Sequence, residues 1–286
     1  MIQRRSDGAV YYEFDRLALF PGLRHAAFTR LGGVSLAPFA TLNVGHLVGD
    51  DPAAVQANEE RVFSILGVQA LDVVTPRQVH GAHVQRVARG DGATVIPSTD
   101  GLITDEPRVA LFLRFADCVP VLLFDSRRRA VALVHAGWRG WAAGVVINAL
   151  RVMRDEFGTW PGDLSAGIGP AIGPCCYPVG PEVIVAVDGA LGADSQVLSR
   201  QPSGATHLDL PGAVRIQLER CGVREVEDSG MCTSCSNEQF FSHRAEHGRT
   251  GRFAVVVAIR LSHRDRSAPT RPDSAPRADV PIPRRP

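Results

Sequence analysis

The chain contains no lysine, because all 31 of its basic residues are arginines. Without a lysine amine the protein cannot form a Schiff base, attach pyridoxal phosphate or supply the lysine of a phosphate-binding loop. The basic residues are balanced by 30 acidic ones, so no net field would collect nucleic acid or an anionic membrane. These absences exclude the lysine-dependent enzymes and argue against nucleic acid as a partner.

Long apolar runs are also missing, and cysteine is sparse. No segment approaches the roughly 20 apolar residues that span a bilayer, and the opening MIQRRSDGAVYYEF has no apolar run behind it. Six cysteines in 286 residues are too few for a disulfide scaffold, and the adjacent Cys175 and Cys176 have poor geometry for an ordinary bridge. We therefore expect reduced thiols, a cytoplasmic location and no membrane partner.

Hydrophobic patterns predict a mixed α+β chain with one catalytic domain over 1–261. Asp51 and Pro52 begin a helix that ends at Gly67. Further helices are predicted over 141–153, 181–189 and 210–220. Apolar stretches predict strands over 109–115, 119–125, 130–136, 164–169 and 253–259. The remaining residues, 262–286, are rich in Arg, Pro, Ser, Asp and Ala, which predicts a disordered tail.

Three short motifs contain residues that could ligate a metal: His80 in QVHG, Cys118 in ADCVPVLL and His135 in VHAGWRG. Each has a simpler interpretation alone, as a surface histidine, a small buried hydrophobe and a histidine in a tight turn. Two imidazoles and one thiolate together suit zinc, and three protein ligands leave the fourth tetrahedral position open. The sequence therefore predicts a catalytic zinc centre. His83 is excluded, because on an extended chain it points away from the face of His80.

The residues after His135 also indicate anion binding. Gly137 and Gly140 allow the backbone to approach a ligand closely, and Arg139 between them can bind an anionic group. We take Arg139 as a substrate-binding candidate.

A second cysteine motif, Cys232 and Cys235 in GMCTSC, has the C-x-x-C spacing. A second metal would need two further ligands, and a thioredoxin-like role would need its own β-α-β context. We favour pocket lining for this pair.

Several motifs in a fixed order make the chain resemble the YfiH or laccase-domain family. They are TRLGGVS, LNVG, QVHG, DGLIT, ADCVPVLL, VHAGWRG, GPAIGPCCY, FFSHR and GRTGR. The resemblance runs from about Phe28 to Ile259. Members of this family were long described as polyphenol oxidases and are now described as purine nucleoside phosphorylases.

The resemblance implies a four-layer α/β/β/α sandwich related to a cysteine-hydrolase toxin fold. It also implies zinc bound by His80, Cys118 and His135. The implied reactions are phosphorolysis of adenosine, inosine, guanosine and methylthioadenosine, with deamination of adenosine. The implied partners are thus a purine nucleoside and phosphate, for a monomer or small homo-oligomer.

The same resemblance adds two residues to the substrate pocket, Arg30 of TRLGG and Asn43 of LNVG. Arg30 and Arg139 are then the candidates for binding phosphate. One departure is visible at Pro178, where the family usually has an acidic residue after GPCCY. Any substrate contact made by that carboxylate is missing from this chain.

Three other functions compete with this one. A four-copper laccase needs around ten histidines, some of them in H-x-H pairs, whereas this chain has nine histidines and no H-x-H pair. The sequence is therefore compatible only with weak phenol oxidation by copper bound in the same His2Cys site. A metal-free cysteine hydrolase would use Cys118 as nucleophile and His135 as base, in the manner proposed for peptidoglycan-precursor editing. A non-catalytic binding protein is the third alternative.

Overall fold

The computed structural model describes residues 1–192 and 195–260, which form a mixed α+β fold. In chain order the strands are β1 (Ile2–Ser6), β2 (Ala9–Glu13), β3 (Leu23–Phe28), β4 (Val73–Pro76), β5 (Val84–Arg86), β6 (Val95–Ile96), β7 (Gly101–Thr104), β8 (Ala110–Phe115), β9 (Val119–Asp125), β10 (Ala130–Ala136), β11 (Leu164–Ile168), β12 (Pro178–Val179), β13 (Leu198–Arg200), β14 (Thr206–Leu208), β15 (Glu225–Asp228) and β16 (Phe253–Ile259). The helices are α1 (Pro52–Leu66), α2 (Trp138–Ala142), α3 (Val145–Phe157), α4 (Pro181–Leu191) and α5 (Leu210–Arg220).

The strands form two large sheets and one small one. The larger sheet has seven strands in the order β1-β2-β3-β16-β8-β4-β6, and the second has six in the order β15-β11-β9-β10-β7-β5. A three-stranded sheet, β12-β14-β13, accompanies α4 and α5. Most neighbours pair antiparallel, as in the β9 and β10 hairpin, where His135 lies opposite Pro120.

The side chains of the buried strands alternate between the two faces of each sheet, and the core accordingly consists of three hydrophobic clusters. Leu111 and Leu113 of β8 pack with residues of the six-stranded sheet, whereas Phe112 between them packs with α1. The third cluster joins the other face of the six-stranded sheet to α3, α4 and α5. Because successive side chains of a strand point to opposite faces, apolar runs such as ALFLRF serve two cores at once.

Most predicted elements are present within two residues of their expected bounds. The Asp51 carboxylate accepts a hydrogen bond from Ala53 N at 3.0 Å and caps α1, which ends at Gly67 with φ of 60°. The single helix predicted over 141–153 is wrong, because the chain breaks between α2 and α3 at Gly144, where φ is 87°. The predicted tail, 262–286, lies outside the described residues. None of the helices described is long and apolar enough to cross a membrane.

Candidate metal centre

His135 is the buried member of the predicted ligand set and lies near the end of β10. Its Nδ1 makes a hydrogen bond of 2.9 Å with Oδ1 of Asp100, a carboxylate with no exposure to solvent. The backbone N–H of His135 also donates to the carbonyl of Asp100 at 2.7 Å. These contacts fix the imidazole and leave Nε2 for a ligand, the arrangement that orients histidines at metal sites.

His80 lies in the loop between β4 and β5, and the same Asp100 carboxylate holds this loop. It accepts hydrogen bonds from the backbone N–H groups of Val79, His80 and Gly81, at 2.8 to 3.2 Å. His80 has φ of 59°, a left-handed conformation that is uncommon outside glycine. Three converging backbone donors offset the cost of this conformation and keep the imidazole at the cavity.

Cys118 immediately precedes β9 and completes the set. The ligand atoms of His80, Cys118 and His135 all lie within 4.8 Å of one another. Gly137 makes this convergence possible, because a Cβ there would come within 2.8 Å of His80 Cδ2 and 3.0 Å of Cys118 Sγ. The first glycine of the HAGWRG segment is therefore a steric requirement of the cluster.

The three ionisable groups at the centre shift one another's pKa values. Burial opposes ionisation of Cys118, but the charge of His135 and hydrogen bonds from both histidines outweigh it and lower the thiol pKa from 9.0 to about 6. Burial likewise opposes charging of His135, but the Cys118 thiolate and Asp100 raise its pKa from 6.5 to about 9. The metal-free centre is thus a thiolate–imidazolium pair, and binding a metal requires His135 to release its proton.

The donor set fits one tetrahedral metal ion. Zn–N bonds of about 2.0 Å and Zn–S bonds of about 2.3 Å place tetrahedral ligand atoms roughly 3.3 to 3.8 Å apart, which the spacing at this site accommodates. The thiolate form of Cys118 and the oriented imidazole of His135 are the forms that bind metal. The chain therefore has a His2Cys metal-binding group with no fourth protein ligand among the described residues.

All three ligand residues face a cavity of about 960 Å³. This volume lies at the upper end of the range for small-molecule sites. Its walls include aromatic side chains and several arginines. They comprise Phe63, Phe112, Trp138, Tyr177, Arg77, Arg114, Arg139, Arg244 and Arg252. Arg139 lies over the Trp138 ring at 4.5 Å, and Arg244 lies over the Tyr177 ring at 5.3 Å.

Of the predicted substrate-binding residues, only Arg139 lines this cavity; Arg30 and Asn43 do not. Arg30 donates to the carbonyls of Ala40 and Asn237 and pairs with Glu246 at 3.0 Å. These contacts hold the segment after β15 against the loop after β3. A direct contact between Arg30 and substrate stays a prediction.

Asn43 is fully buried, and its contacts connect it to the cavity indirectly. Its Oδ1 accepts hydrogen bonds from the backbone N–H groups of Arg252 at 2.8 Å and Gly45 at 2.9 Å. Asn43 thereby fixes the backbone of Arg252, whose side chain lines the cavity.

Sequence reasoning missed two buried aspartates that support the centre. Asp100 is the first residue of the DGLIT motif, and Asp117 directly precedes Cys118. Asp117 has φ of 84°, and its carboxylate accepts from Thr233 Oγ1 and from Arg244 N, both at 2.7 Å. The position of Asp117 next to the ligand Cys118 was the one signal in the sequence for its supporting role. Its hydrogen-bond partners lie more than 100 residues further along the chain, so the sequence did not indicate what it contacts.

Pro178 contacts the cavity wall through its backbone. Its carbonyl accepts a hydrogen bond from Nη1 of Arg244 at 3.2 Å. The backbone at this position thus contacts a cavity arginine.

The chain is similar in sequence to a known protein family. The model of a family described as multi-copper polyphenol oxidoreductase laccase matches residues 24–260. Purine nucleoside phosphorylase YlmD of Geobacillus stearothermophilus is 41% identical over 251 residues, which cover 84% of this chain and 92% of the relative. A purine nucleoside phosphorylase of Streptomyces coelicolor is 42% identical over 237 residues, covering 82% of this chain and 94% of the relative.

Solved structures resemble the whole fold. The crystal structure of YlmD from Geobacillus stearothermophilus has a TM-score of 0.85 at 37% identity, covering 91% of this chain and 98% of that one. The crystal structure of the Bacillus licheniformis hypothetical protein YfiH has a TM-score of 0.84 at 33% identity, covering 90% and 99%. The predicted resemblance is therefore confirmed at the level of both sequence and structure.

Proposed function

Because the chain belongs to the multi-copper polyphenol oxidoreductase laccase family, which includes YfiH, we propose that it is a zinc-dependent purine nucleoside phosphorylase. The observation that supports this most strongly is the His80, Cys118 and His135 cluster, which has three ligands and opens onto a cavity large enough for a nucleoside together with phosphate. We propose adenosine, inosine, guanosine and methylthioadenosine as substrates, with adenosine deamination as a second reaction at the same centre.

Phosphorolysis transfers the pentose from the purine to phosphate. A phosphate oxygen bonds to C1′ of the pentose while the bond from C1′ to the purine nitrogen breaks, and the purine leaves with the bonding electrons. Arg139, Arg244 and Arg252 line the cavity and are our candidates for binding the phosphate, because guanidinium groups pair well with phosphate oxygens. A zinc ion, when bound, would supply a Lewis acid at the cavity wall.

Tyr177 is our candidate for a hydrogen-bond donor to the purine. Burial and then the nearby Cys118 charge raise the pKa of Tyr177 to about 12, so its phenol keeps its proton at neutral pH. Arg30 and Asn43 act in this proposal as positioning residues, since they hold the segments that carry Arg244 and Arg252.

The three hydrophobic clusters support a fold of four layers. In order, these are α1, the seven-stranded sheet, the six-stranded sheet and the remaining helices. The relation to cysteine-hydrolase toxins, the cytoplasmic location and the monomeric or small oligomeric state stay predictions.

The test uses protein purified without added metal, assayed for zinc content and for nucleoside turnover with and without phosphate. Cys118→Ala should bind about one zinc ion per chain fewer than wild type. Its nucleoside turnover should fall by more than the roughly 100-fold that follows from substituting a residue that only orients a metal ligand. Cys221→Ala is the matched control, because Cys221 lies at the end of α5, away from the cavity. A Cys118→Ala protein with unchanged zinc and no turnover would contradict the ligand role.

A metal-free cysteine hydrolase is the second candidate, and one observation favours it. Asp100 orients His135, and His135 lowers the pKa of the Cys118 thiol, which is the arrangement of an activated nucleophile. Wild-type enzyme that is inactivated by iodoacetamide but not by a chelator would establish this candidate. Copper bound by the same three ligands, detected as a blue thiolate-to-copper absorption with phenol oxidation, would favour the oxidoreductase named in the family description.

A further inference from the structure

Four of the remaining cysteines meet away from the cavity. Cys175 and Cys176 lie in the turn between β11 and β12, and Cys232 and Cys235 lie in the segment between β15 and β16. An isolated β-bridge pairs Ala171 with Cys232 and holds the two segments together. None of the four cysteines lines the cavity, so the pocket-lining interpretation of the C-x-x-C pair is wrong. The fold instead supplies the two further ligands that the pair lacked in the sequence.

The spacing of the four sulfurs matches a single tetrahedral metal ion. All four lie within 4.8 Å of one another, and the Cys235 sulfur is 3.4 Å from those of Cys175 and Cys176. A zinc ion with Zn–S bonds of about 2.3 Å requires sulfurs roughly 3.8 Å apart. The spacing of the four thiols is therefore compatible with binding to one zinc ion.

The backbone around the sulfurs is also arranged as in a thiolate metal site. Gly173 N donates to Cys232 Sγ at 3.2 Å, and the backbone N–H of Cys235 bonds to the same sulfur. A Cβ at Gly173 would lie 3.2 Å from Cys232 Cβ and 3.4 Å from Cys175 Sγ, so glycine lets the turn wrap closely around the cluster. Such N–H donors stabilise the negative charge of ligating thiolates.

We propose that Cys175, Cys176, Cys232 and Cys235 bind a second metal ion, zinc, in a closed structural site. Four protein thiolates fill a tetrahedral shell, so this site has no open position, unlike the His2Cys centre. Cys175 and Cys235 are exposed, which gives the ion a path from solvent. The proposal does not depend on the reaction assigned to the first centre.

The second zinc would fix one wall of the cavity. The segment carrying Cys175 and Cys176 donates from Ile172 N to the Asp117 carbonyl at 2.9 Å. The segment carrying Cys232 and Cys235 donates from Thr233 Oγ1 to the Asp117 carboxylate. Both segments therefore meet at Asp117, directly beside Cys118, and joining them through a metal would hold Ile172 at the cavity.

The first test separates the two sites by zinc analysis of the full-length protein. Wild type loaded with zinc and desalted should hold about two ions per chain, and Cys118→Ala about one. Combining Cys175→Ser and Cys235→Ser should also leave about one, and the triple variant should leave none. Cys221→Ser is the matched control and should keep both. A serine double variant that keeps the full wild-type zinc content would overturn the proposal.

A second test uses protein in which all four cluster cysteines are intact, and so does not require the serine variants to fold. Of the six free cysteines, only Cys221 should react with a thiol reagent while both sites hold zinc, and all six should react after chelation and unfolding. Cobalt(II) added to metal-free Cys118→Ala protein should give the intense absorption of a tetrahedral thiolate site. Four reactive cluster thiols in zinc-saturated protein would overturn the proposal. A mass reduced by two hydrogens for each bridge, showing that the cysteines form disulfides, would overturn it as well.

Discussion

Asp100 is the residue on which both histidine ligands depend. Its carboxylate orients the His135 ring and gathers the backbone around His80, although the two histidines belong to different elements. One side chain thus sets the distance between two ligands that lie 55 residues apart in the sequence. Its importance comes from its contacts, since it neither lines the cavity nor binds metal itself.

Asp100→Asn should weaken zinc binding at the His2Cys centre by roughly 10- to 100-fold, the usual effect of losing an outer-shell partner. The amide has one acceptor oxygen in place of two, so it cannot hold both the backbone around His80 and the His135 ring as the carboxylate does. Competition with a chromophoric chelator measures the zinc Kd. Asp105→Asn, at a half-buried carboxylate paired with Arg86 at 3.1 Å, is the control and should bind zinc normally. An unchanged Kd in Asp100→Asn would show that the carboxylate does not position the ligands.

His25 should make the protein less stable as the pH falls from 6.5 to about 4. Burial lowers the pKa of His25 to about 4, and its Nε2 accepts a hydrogen bond from Phe14 N at 2.8 Å, which requires the neutral ring. The unfolded chain takes up a proton below about pH 6.5, whereas the folded chain does so only near pH 4. The free energy of unfolding therefore drops by about 3 kcal/mol over this range.

Urea unfolding of wild type and His25→Gln at several pH values measures this effect. The variant keeps an acceptor but cannot titrate, so its stability should fall less steeply between pH 6.5 and 4. His83→Gln, at an exposed position, should keep the wild-type slope. Equal slopes for all three proteins would contradict the assignment to His25.

The three residues of the His2Cys group were predictable because each one lies in a short motif beside an apolar stretch of the sequence. Cys118 directly precedes VPVLLFD, and His135 lies at the end of AVALVHA. The supporting residues were not predictable in the same way. Asp117 contacts Thr233 and Arg244, and no local pattern indicates which distant residues a carboxylate will meet.

At the scale of elements, the junction of β10 and α2 determines whether the ligands can converge. Gly137 caps α2 with φ of −73° and ψ of 162°, a conformation open to any residue. Its absent side chain is what matters, because His80 and Cys118 occupy the space that a Cβ would need. The start of α1, with Asp51 as its cap, follows from sequence, whereas this steric requirement follows only from packing.

Gly137→Ala should therefore lower zinc affinity and turnover at least as strongly as losing an outer-shell partner, roughly 10-fold or more. The added methyl group would force His80 or Cys118 to move away from the cluster. Isothermal titration with zinc and a nucleoside assay measure the two effects. Gly189→Ala in α4 is the control, because nothing lies within 4 Å of its Cβ position and alanine favours a helix. Equal zinc affinity in the two variants would show that the junction tolerates the methyl group.

At the scale of the whole molecule, distant segments meet in ways the sequence does not display. The C-x-x-C pair and the adjacent cysteines lie about 60 residues apart, and only the parallel pairing of β11 with β15 brings their loops to one end of a sheet. Five of the strands, β8 to β11 and β16, were predictable from their apolar runs, whereas the shorter and less apolar strands were not predicted. The order of the strands in the two sheets was not predictable, because it depends on pairing between remote parts of the chain.

Removal of residues 262–286 should leave the melting temperature and nucleoside turnover nearly unchanged. Their composition offers no apolar surface for docking, and the family model ends at residue 260. Calorimetry and the nucleoside assay on the truncated protein check this expectation. A fall of several degrees, or a clear loss of turnover, would show that the tail packs on the domain.

The position of β16 has a consequence for how the protein is made. This strand, Phe253–Ile259, pairs with β3 on one side and β8 on the other, so it lies inside the seven-stranded sheet although more than 130 residues separate it from β8 in the sequence. Until it emerges from the ribosome, both neighbouring strands have unpaired edges and the sheet is divided in two. The nascent chain must therefore carry these two exposed strand edges throughout the synthesis of the residues between β8 and β16, the period in which a chaperone would protect it most.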